Sequence, residues 1–169
     1  MRSLTAGAVL VILCANAAAF ELKGLTLGAK TSPEQVQAAM GVQCGVGADE
    51  MQVCNGQTTI GGVWGEANIV IAPSGKLQRI HFTFDSNSFE SLADAFGDKY
   101  GKHTTKRTVV QNGFGTKAEN VEKVWGQKNG DQLKLRKNDV EIGKAVASYT
   151  TPEDRALLRR IYKADKSDL

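Results

Sequence analysis

Histidine is almost missing from this chain of 169 residues: there are two, His81 and His103. A zinc site would therefore need an unusual ligand set. Cysteine is scarce too. The three are Cys14, Cys44 and Cys54, and none stands in the C-x-x-C spacing of redox sites. G-x-S-x-G, G-x-x-x-x-G-K-[ST] and a strand-linked G-x-G-x-x-G are all absent. Their absence removes the nucleophile elbow, the phosphate-cradling loop and the dinucleotide fingerprint. Gly45-Val46-Gly47, Gly61-Gly62 and Gly65 read as turns, bulges or close sheet packing. The net charge of +3 is too small to argue a nucleic-acid partner from bulk charge. Beyond residue 19 no apolar run approaches the ~20 residues of a membrane span. The expectation is a chain with no metal, no cofactor, no nucleic acid and no transmembrane segment after its start.

What is present begins at the N-terminus. Met1-Arg2 supplies a positive start, Leu4 to Leu13 an apolar core, and Cys14-Ala15-Asn16-Ala17-Ala18-Ala19 a small-residue flank. That order is the pattern of a secretory signal peptide, residues 1–19, cleaved after Ala19 and before Phe20. A retained anchor would carry a longer apolar run. A lipoprotein signal would place a small residue before Cys14, where Leu13 stands. The expected product is periplasmic or secreted, about 150 residues long, with a charge of +2 once Arg2 is lost. Such a chain can bury about 70% of its unfolded surface in one core. Cleavage leaves Cys44 and Cys54 as an even pair in an oxidising compartment, which reads as one disulfide.

Helix-start chemistry occurs three times. Ser32-Pro33-Glu34-Gln35 has the form of a capping box with proline at the first helical position, and Gly41 ends the apolar spacing of Val36, Ala39 and Met40. Asn87-Ser88-Phe89-Glu90 repeats the arrangement, with Glu90 as a capping residue and Phe89, Leu92, Ala93 and Phe96 as its stripe. Thr151-Pro152-Glu153-Asp154 opens the third helix, whose stripe is Leu157, Leu158, Ile161 and Tyr162. Strands alternate between them. Ile80, Phe82 and Phe84 point one way and Arg79, His81 and Thr83 the other, after a turn at Pro73-Ser74-Gly75-Lys76. Gln132 to Arg136 follows the hairpin turn Asn129-Gly130-Asp131, and Lys144 to Thr150 is a last strand. Val63-Trp64-Gly65 and Val124-Trp125-Gly126 recur about 60 residues apart, each after a capped helix, as duplicated units would. The predicted fold is α+β: an antiparallel sheet with helices on one face, built as two tandem helix–β-meander modules, 20–86 and 87–169, in one compact unit.

A helix followed by a small antiparallel sheet, given twice, with a cysteine pair after the first helix, resembles the secreted β-lactamase inhibitory proteins. The opening Leu27-Gly28-Ala29-Lys30-Thr31-Ser32-Pro33-Glu34-Gln35-Val36 is similar to the start of the small outer-membrane-assembly lipoprotein domains. Both resemblances imply the same helix-and-sheet layout. The first also implies inhibition of a hydrolase, and neither carries over a binding residue by motif.

Catalytic chemistry finds little support. No residue is assigned a catalytic role: His81 is expected on the solvent side of its strand and His103 near helix C-terminal carbonyls. Among Asp49, Glu50, Glu66, Asp85 and Glu90 nothing singles out the carboxylate pair that glycoside hydrolysis requires. Three surfaces remain for binding. One is the loop Asp49-Glu50-Met51 inside the cysteine pair, which a disulfide would pre-order. Another is the open sheet face, with Arg79, His81, Lys134 and Arg136 joined by Trp64 or Trp125. The last is a basic helix side made by Arg155, Arg159, Arg160 and Lys163. The expected function is a non-catalytic module that binds another protein, an enzyme inhibitor being one form of it. An accessory factor in cell-envelope assembly, touching an anionic envelope component, is the alternative, and a hydrolase of unrecognised type the next.

Overall fold

A computed structural model describes residues 20–138 and 141–167; the signal-peptide reading of residues 1–19 lies outside them. The chain enters through a ribbon of two short strands, β1 (Glu21–Leu22) and β2 (Leu25–Thr26). Helix α1 (Pro33–Met40) then starts at the expected capping box. The Ser32 side chain accepts from the Gln35 amide, and the Gln35 side chain accepts from the Ser32 amide. Gly41, in the left-handed conformation, closes the helix. Strands β3 (Gln43–Val46), β4 (Gln52–Ile60), β5 (Val63–Ile71) and β6 (Leu77–Asp85) follow as an antiparallel meander. Next come α2 (Phe89–Tyr100), then β7 (Thr104–Gln111), β8 (Lys117–Gly126), β9 (Gln132–Lys137) and β10 (Lys144–Thr150) as a second meander. Helix α3 (Pro152–Ser167) comes last. The strands from β3 onward form one eight-stranded sheet in the order β3-β4-β5-β6-β10-β9-β8-β7. The fold is thus α+β with an antiparallel sheet. At its centre β6 and β10 pair over seven residues, from Lys144 opposite Asp85 to Thr150 opposite Arg79.

One sheet face carries the core. Cys54, Ile69, Ile80, Tyr149, Leu133 and Trp125 form a row across it by strand register, and all are buried. Helix α1 lays Val36 and Met40 over this core, and α2 adds Phe89, Leu92, Ala93 and Phe96. Each large apolar side chain so buried contributes about 1.5–3 kcal/mol. Aromatic rings meet edge to face: Phe96 lies 5.8 Å from both Trp125 and Tyr149, and Phe20 lies 5.1 Å from Tyr100. Gly65 on β5 is required by this packing, because a Cβ there would meet the Thr83 carbonyl and stand 2.8 Å from the Phe82 ring. Cys44 and Cys54 are direct cross-strand partners on β3 and β4 and form the expected disulfide, with Cα atoms 3.9 Å apart.

Four expectations change. At α2 the expected Asn87–Glu90 capping box does not form: the helix starts after Ser88, with no side-chain cap. Asp85 instead accepts from the Asn87 amide, one short turn earlier. Glu90 is not a cap but reaches Lys123 on β8 at 3.1 Å. The two Val-Trp-Gly segments are not equivalent: Trp64 begins β5 and is exposed, whereas Trp125 ends β8 and is buried. Finally, α1 and α2 cover the core face, but α3 begins at the other. Its first-turn Asp154 lies 3.7 Å from Arg79, which shares a face with Val70 and Thr150 by register.

Candidate binding face and cleft

The face turned away from α1 and α2 is built by strand parity. On β5 the residues Val63, Gly65, Ala67 and Ile69 point to the core, so Trp64, Glu66 and Asn68 point outward. The two-residue turn Gly61-Gly62, left-handed at both positions (φ 56° and 79°), sets this parity by pairing Ile60 with Val63. One outward row runs Asn55, Asn68, His81, Ser148, Lys134 across β4, β5, β6, β10 and β9. The next runs Gln57, Glu66, Thr83, Val146, Arg136. Of the expected face residues, Trp64, Arg79, His81, Lys134 and Arg136 therefore share this surface. Trp125 does not. It is 1% exposed, packs on Phe96, and donates from Nε1 to the Gly101 carbonyl at 3.0 Å. That bond takes the helix-end carbonyl expected for His103, whose ring instead lies tilted against Trp125, 4.8 Å between ring centres.

Beside Trp64 the outer face opens into a cleft of about 530 Å³. Its walls include Trp64, Gln57, Glu66, His81, Thr83, Asp85, Lys144 and Val146, with Glu141 from the β9–β10 connection. A shallower hollow of about 330 Å³ continues over Asn55 and Asn68 and shares Gln57, Glu66, His81 and Thr83 with the first. Together they make one groove across β4, β5 and β6. Asn68 donates to the Asn55 carbonyl oxygen at 2.7 Å on its floor. Trp64 keeps 61% of its surface exposed at the mouth. The sequence places Trp64, His81 and Thr83 on this face but does not bring the other groove residues to them. Glu66 and Asp85 stand among the candidates for a hydrolytic carboxylate pair, with nothing in the sequence to join them. The available signal was the outward alternation Trp64, Glu66, Asn68.

His81 is half-buried rather than solvent-facing, with its Nδ1 3.1 Å from the Ser148 hydroxyl. This is a serine–histidine contact, but its setting is poor for acyl transfer. Ser148 is 7% exposed and stands mid-strand on β10, with ladders to β6 on one side and β9 on the other. The neighbouring amides are committed to those ladders, leaving no free pair of N–H groups for an oxyanion. Among the described residues no cluster of three or more His, Cys, Asp or Glu side chains could hold a metal ion.

The other expected positions separate from the cleft. Asp49 and Glu50 form an exposed turn between β3 and β4, both at left-handed φ (53° and 58°), which costs of order 1 kcal/mol each for residues bearing a Cβ. Met51 beside them is half-buried. This loop adjoins Gln52, whereas Trp64 pairs with Thr59. Seven residues of strand, about 23 Å, lie between them, so loop and cleft are different surfaces. Arg79 is engaged by Asp154, which burial pushes above the usual carboxylate range against the opposing pull of Arg79 and Arg155. Arg155 is not part of a free basic side. Its guanidinium donates to the carbonyls of Thr150 at 2.8 Å, Gly130 at 2.6 Å and Lys128 at 3.3 Å, tying α3 to the β8–β9 turn. Arg159 and Arg160 are exposed, and the Lys163 side chain lies outside the described residues. Among the described residues no helix is long and apolar enough to cross a membrane. Compared with known proteins, the chain matches no family model, no curated protein and no solved structure.

Proposed function

We propose that this protein is a secreted or periplasmic, non-catalytic binding module that holds another protein against its outer sheet face, centred on Trp64. The observation that carries this reading is a large aromatic, 61% exposed, at the mouth of a cleft on a sheet face. A monomer gains nothing from leaving tryptophan in water, whereas tryptophan is among the residues most enriched at binding hot spots. The sheet beneath is fixed on both sides by hydrogen-bonded ladders, so little ordering entropy is lost on docking. Inhibition of an envelope or extracellular hydrolase is one concrete form of this role, in keeping with the resemblance drawn from the sequence. A photo-activatable amino acid placed at position 64 tests it in intact cells. A discrete cross-linked protein from position 64, and none from position 106 on the far strand β7, is the expected result. Equal labelling from both positions, or none from 64, rejects it.

A second reading, an accessory role at the cell envelope, is favoured by α3. Exposed Arg159 and Arg160 adjoin Ile161, which is 51% exposed, the arrangement of a helix that touches an anionic surface. Flotation with anionic vesicles, lost on Arg159→Glu with Arg160→Glu, is its expected signature. Absence of flotation at low salt removes it.

A further inference from the structure

We propose that the cleft beside Trp64 receives an arginine or lysine side chain presented by a polypeptide partner. This rests on the protein-binding reading of the outer face and specifies what that face recognises. The chain as a whole is basic, at +3. The cleft is the reverse: Glu66, Asp85 and Glu141 against Lys144, with His81 counted neutral, leaves three minus one, a net charge of −2. Four acidic groups elsewhere have an ion-pair partner: Glu21 with Lys99, Glu90 with Lys123, Glu119 with Arg107 and Asp154 with Arg79. Among the described residues none of the three cleft carboxylates has an ion-pair partner within 4.0 Å, although Lys144 stands opposite Asp85 in the ladder. Asp85 uses one oxygen to accept from the Asn87 amide at 2.8 Å, so the carboxylate is held in place.

Glu66, Asp85 and Glu141 are all exposed to solvent water. A partner that covers the cleft removes that water, and an anionic or apolar surface would leave three charges buried without compensation. A cationic side chain supplies the compensation. It also finds the indole face of Trp64, the best aromatic platform for a cation. A cleft of about 530 Å³ has room for a guanidinium with part of its hydration. Trp64 and the acids thus act on the same ligand group: the ring binds the flat cation and the carboxylates bind its N–H donors.

The test uses the full mature protein and four probes: tetra-arginine amide, tetra-lysine amide, tetra-glutamate, and a neutral β-linked glucose hexamer. Tryptophan emission is read in a Trp125→Phe background, where Trp64 is the only indole. Calorimetry on the unmodified protein provides the same titration should that variant fold poorly. Saturable binding of the two cationic peptides is expected, weakening as salt is raised. Glu66→Gln with Glu141→Gln is expected to weaken binding about tenfold and Trp64→Ala by at least as much. Glu122→Gln, outside the cleft, should leave it unchanged. Failure of tetra-arginine to bind, equal binding of tetra-glutamate or the glucose hexamer, or indifference to the double glutamine variant each overturns the assignment. The two proposals separate cleanly. Cross-linking from position 64 without tetra-arginine binding rejects the cationic ligand and keeps the protein-binding face. Tetra-arginine binding without a cross-linked partner keeps the cleft's selectivity for a cationic group and rejects a protein as what presents it.

Discussion

The two tryptophans stand in identical tripeptides, yet their removal should have opposite consequences. Trp125 is 1% exposed, touches Phe96 at 5.8 Å between ring centres, and bonds the Gly101 carbonyl. Truncation to alanine costs about 3–5 kcal/mol for a buried tryptophan, and the lost indole hydrogen bond adds about 1 kcal/mol. Against a total of ~5–15 kcal/mol for a domain, Trp125→Ala leaves a marginal protein. With a urea dependence of ~2 kcal/mol per molar, the midpoint should fall by about 2–3 M. Trp64→Ala, at 61% exposure, should stay within about 0.5 kcal/mol of the parent. Equilibrium unfolding followed by far-ultraviolet circular dichroism measures both without relying on the deleted fluorophore. Acrylamide quenching supplies an independent reading: Trp64 in a Trp125→Phe variant should be quenched readily, and Trp125 in a Trp64→Phe variant should be shielded. A cost above 2 kcal/mol for Trp64→Ala, or equal quenching of the two, would refute the assignment of the tryptophans to opposite faces.

Replacing Cys44 and Cys54 together by alanine should lower stability by about 2–3 kcal/mol in the chain-entropy picture, and a reducing agent should lower the melting temperature of the parent but not of that variant. Gly65→Ala should cost about 1–3 kcal/mol, read as a lowered urea midpoint, because its methyl group has only the Thr83 carbonyl and the Phe82 ring to displace. Asp154 has a folded pKa raised by burial, with Arg79 and Arg155 only partly offsetting it. The folded state therefore holds its proton more tightly than the unfolded state, and stability falls as pH rises from about 4 through the raised value. Asp154→Asn should flatten that slope, stabilise at neutral pH, and make no difference below the ordinary aspartate range; a variant less stable than the parent at neutral pH contradicts this. Among the described residues the buried Tyr149 hydroxyl faces only the Tyr100 hydroxyl, without full hydrogen-bond geometry, so replacement by phenylalanine should cost less than about 1 kcal/mol, read as a small shift in melting temperature.

Local chemistry made α1 legible residue by residue. A capping box, an N1 proline and a left-handed glycine act within four residues of each other, so Ser32, Pro33, Gln35 and Gly41 announce the helix before any tertiary contact exists. The same holds for the capping of α3, where the Asp154 amide donates to the Thr151 hydroxyl at 3.2 Å. The start of α2 is less legible because a short turn, Ser86–Ser88, capped by Asp85 through the Asn87 amide, precedes it and moves the helix start past Asn87. The alternation Ile80, Phe82, Phe84 was plain on β6 because every second residue is large and apolar. Around the tryptophans it was not. Trp64 is followed by glycine and Trp125 by glycine, so neither neighbour declares a side. Parity there is decided by pairing, with Thr59 opposite Trp64 and Leu133 opposite Trp125. The cleft was hidden for the same reason. Its carboxylates come from β5, the end of β6 and the β9–β10 connection, and only the closure of β10 onto β6 brings them to one place.

That closure has a kinetic meaning. Six of the seven ladders in the large sheet join strands that are consecutive in the chain; β6 with β10 is the exception, bridging about 60 residues. Most pairing can therefore begin with the short loop closures that make hairpins fast, and one long-range encounter remains. Until it occurs, two half-sheets each expose an unpaired strand rich in Phe, Ile, Val and Ala, the kind of edge that recruits other chains. Synthesis, which delivers the N-terminal half first, would hold β6 open while β10 is still arriving. The interval between the two is when this chain would most need a chaperone.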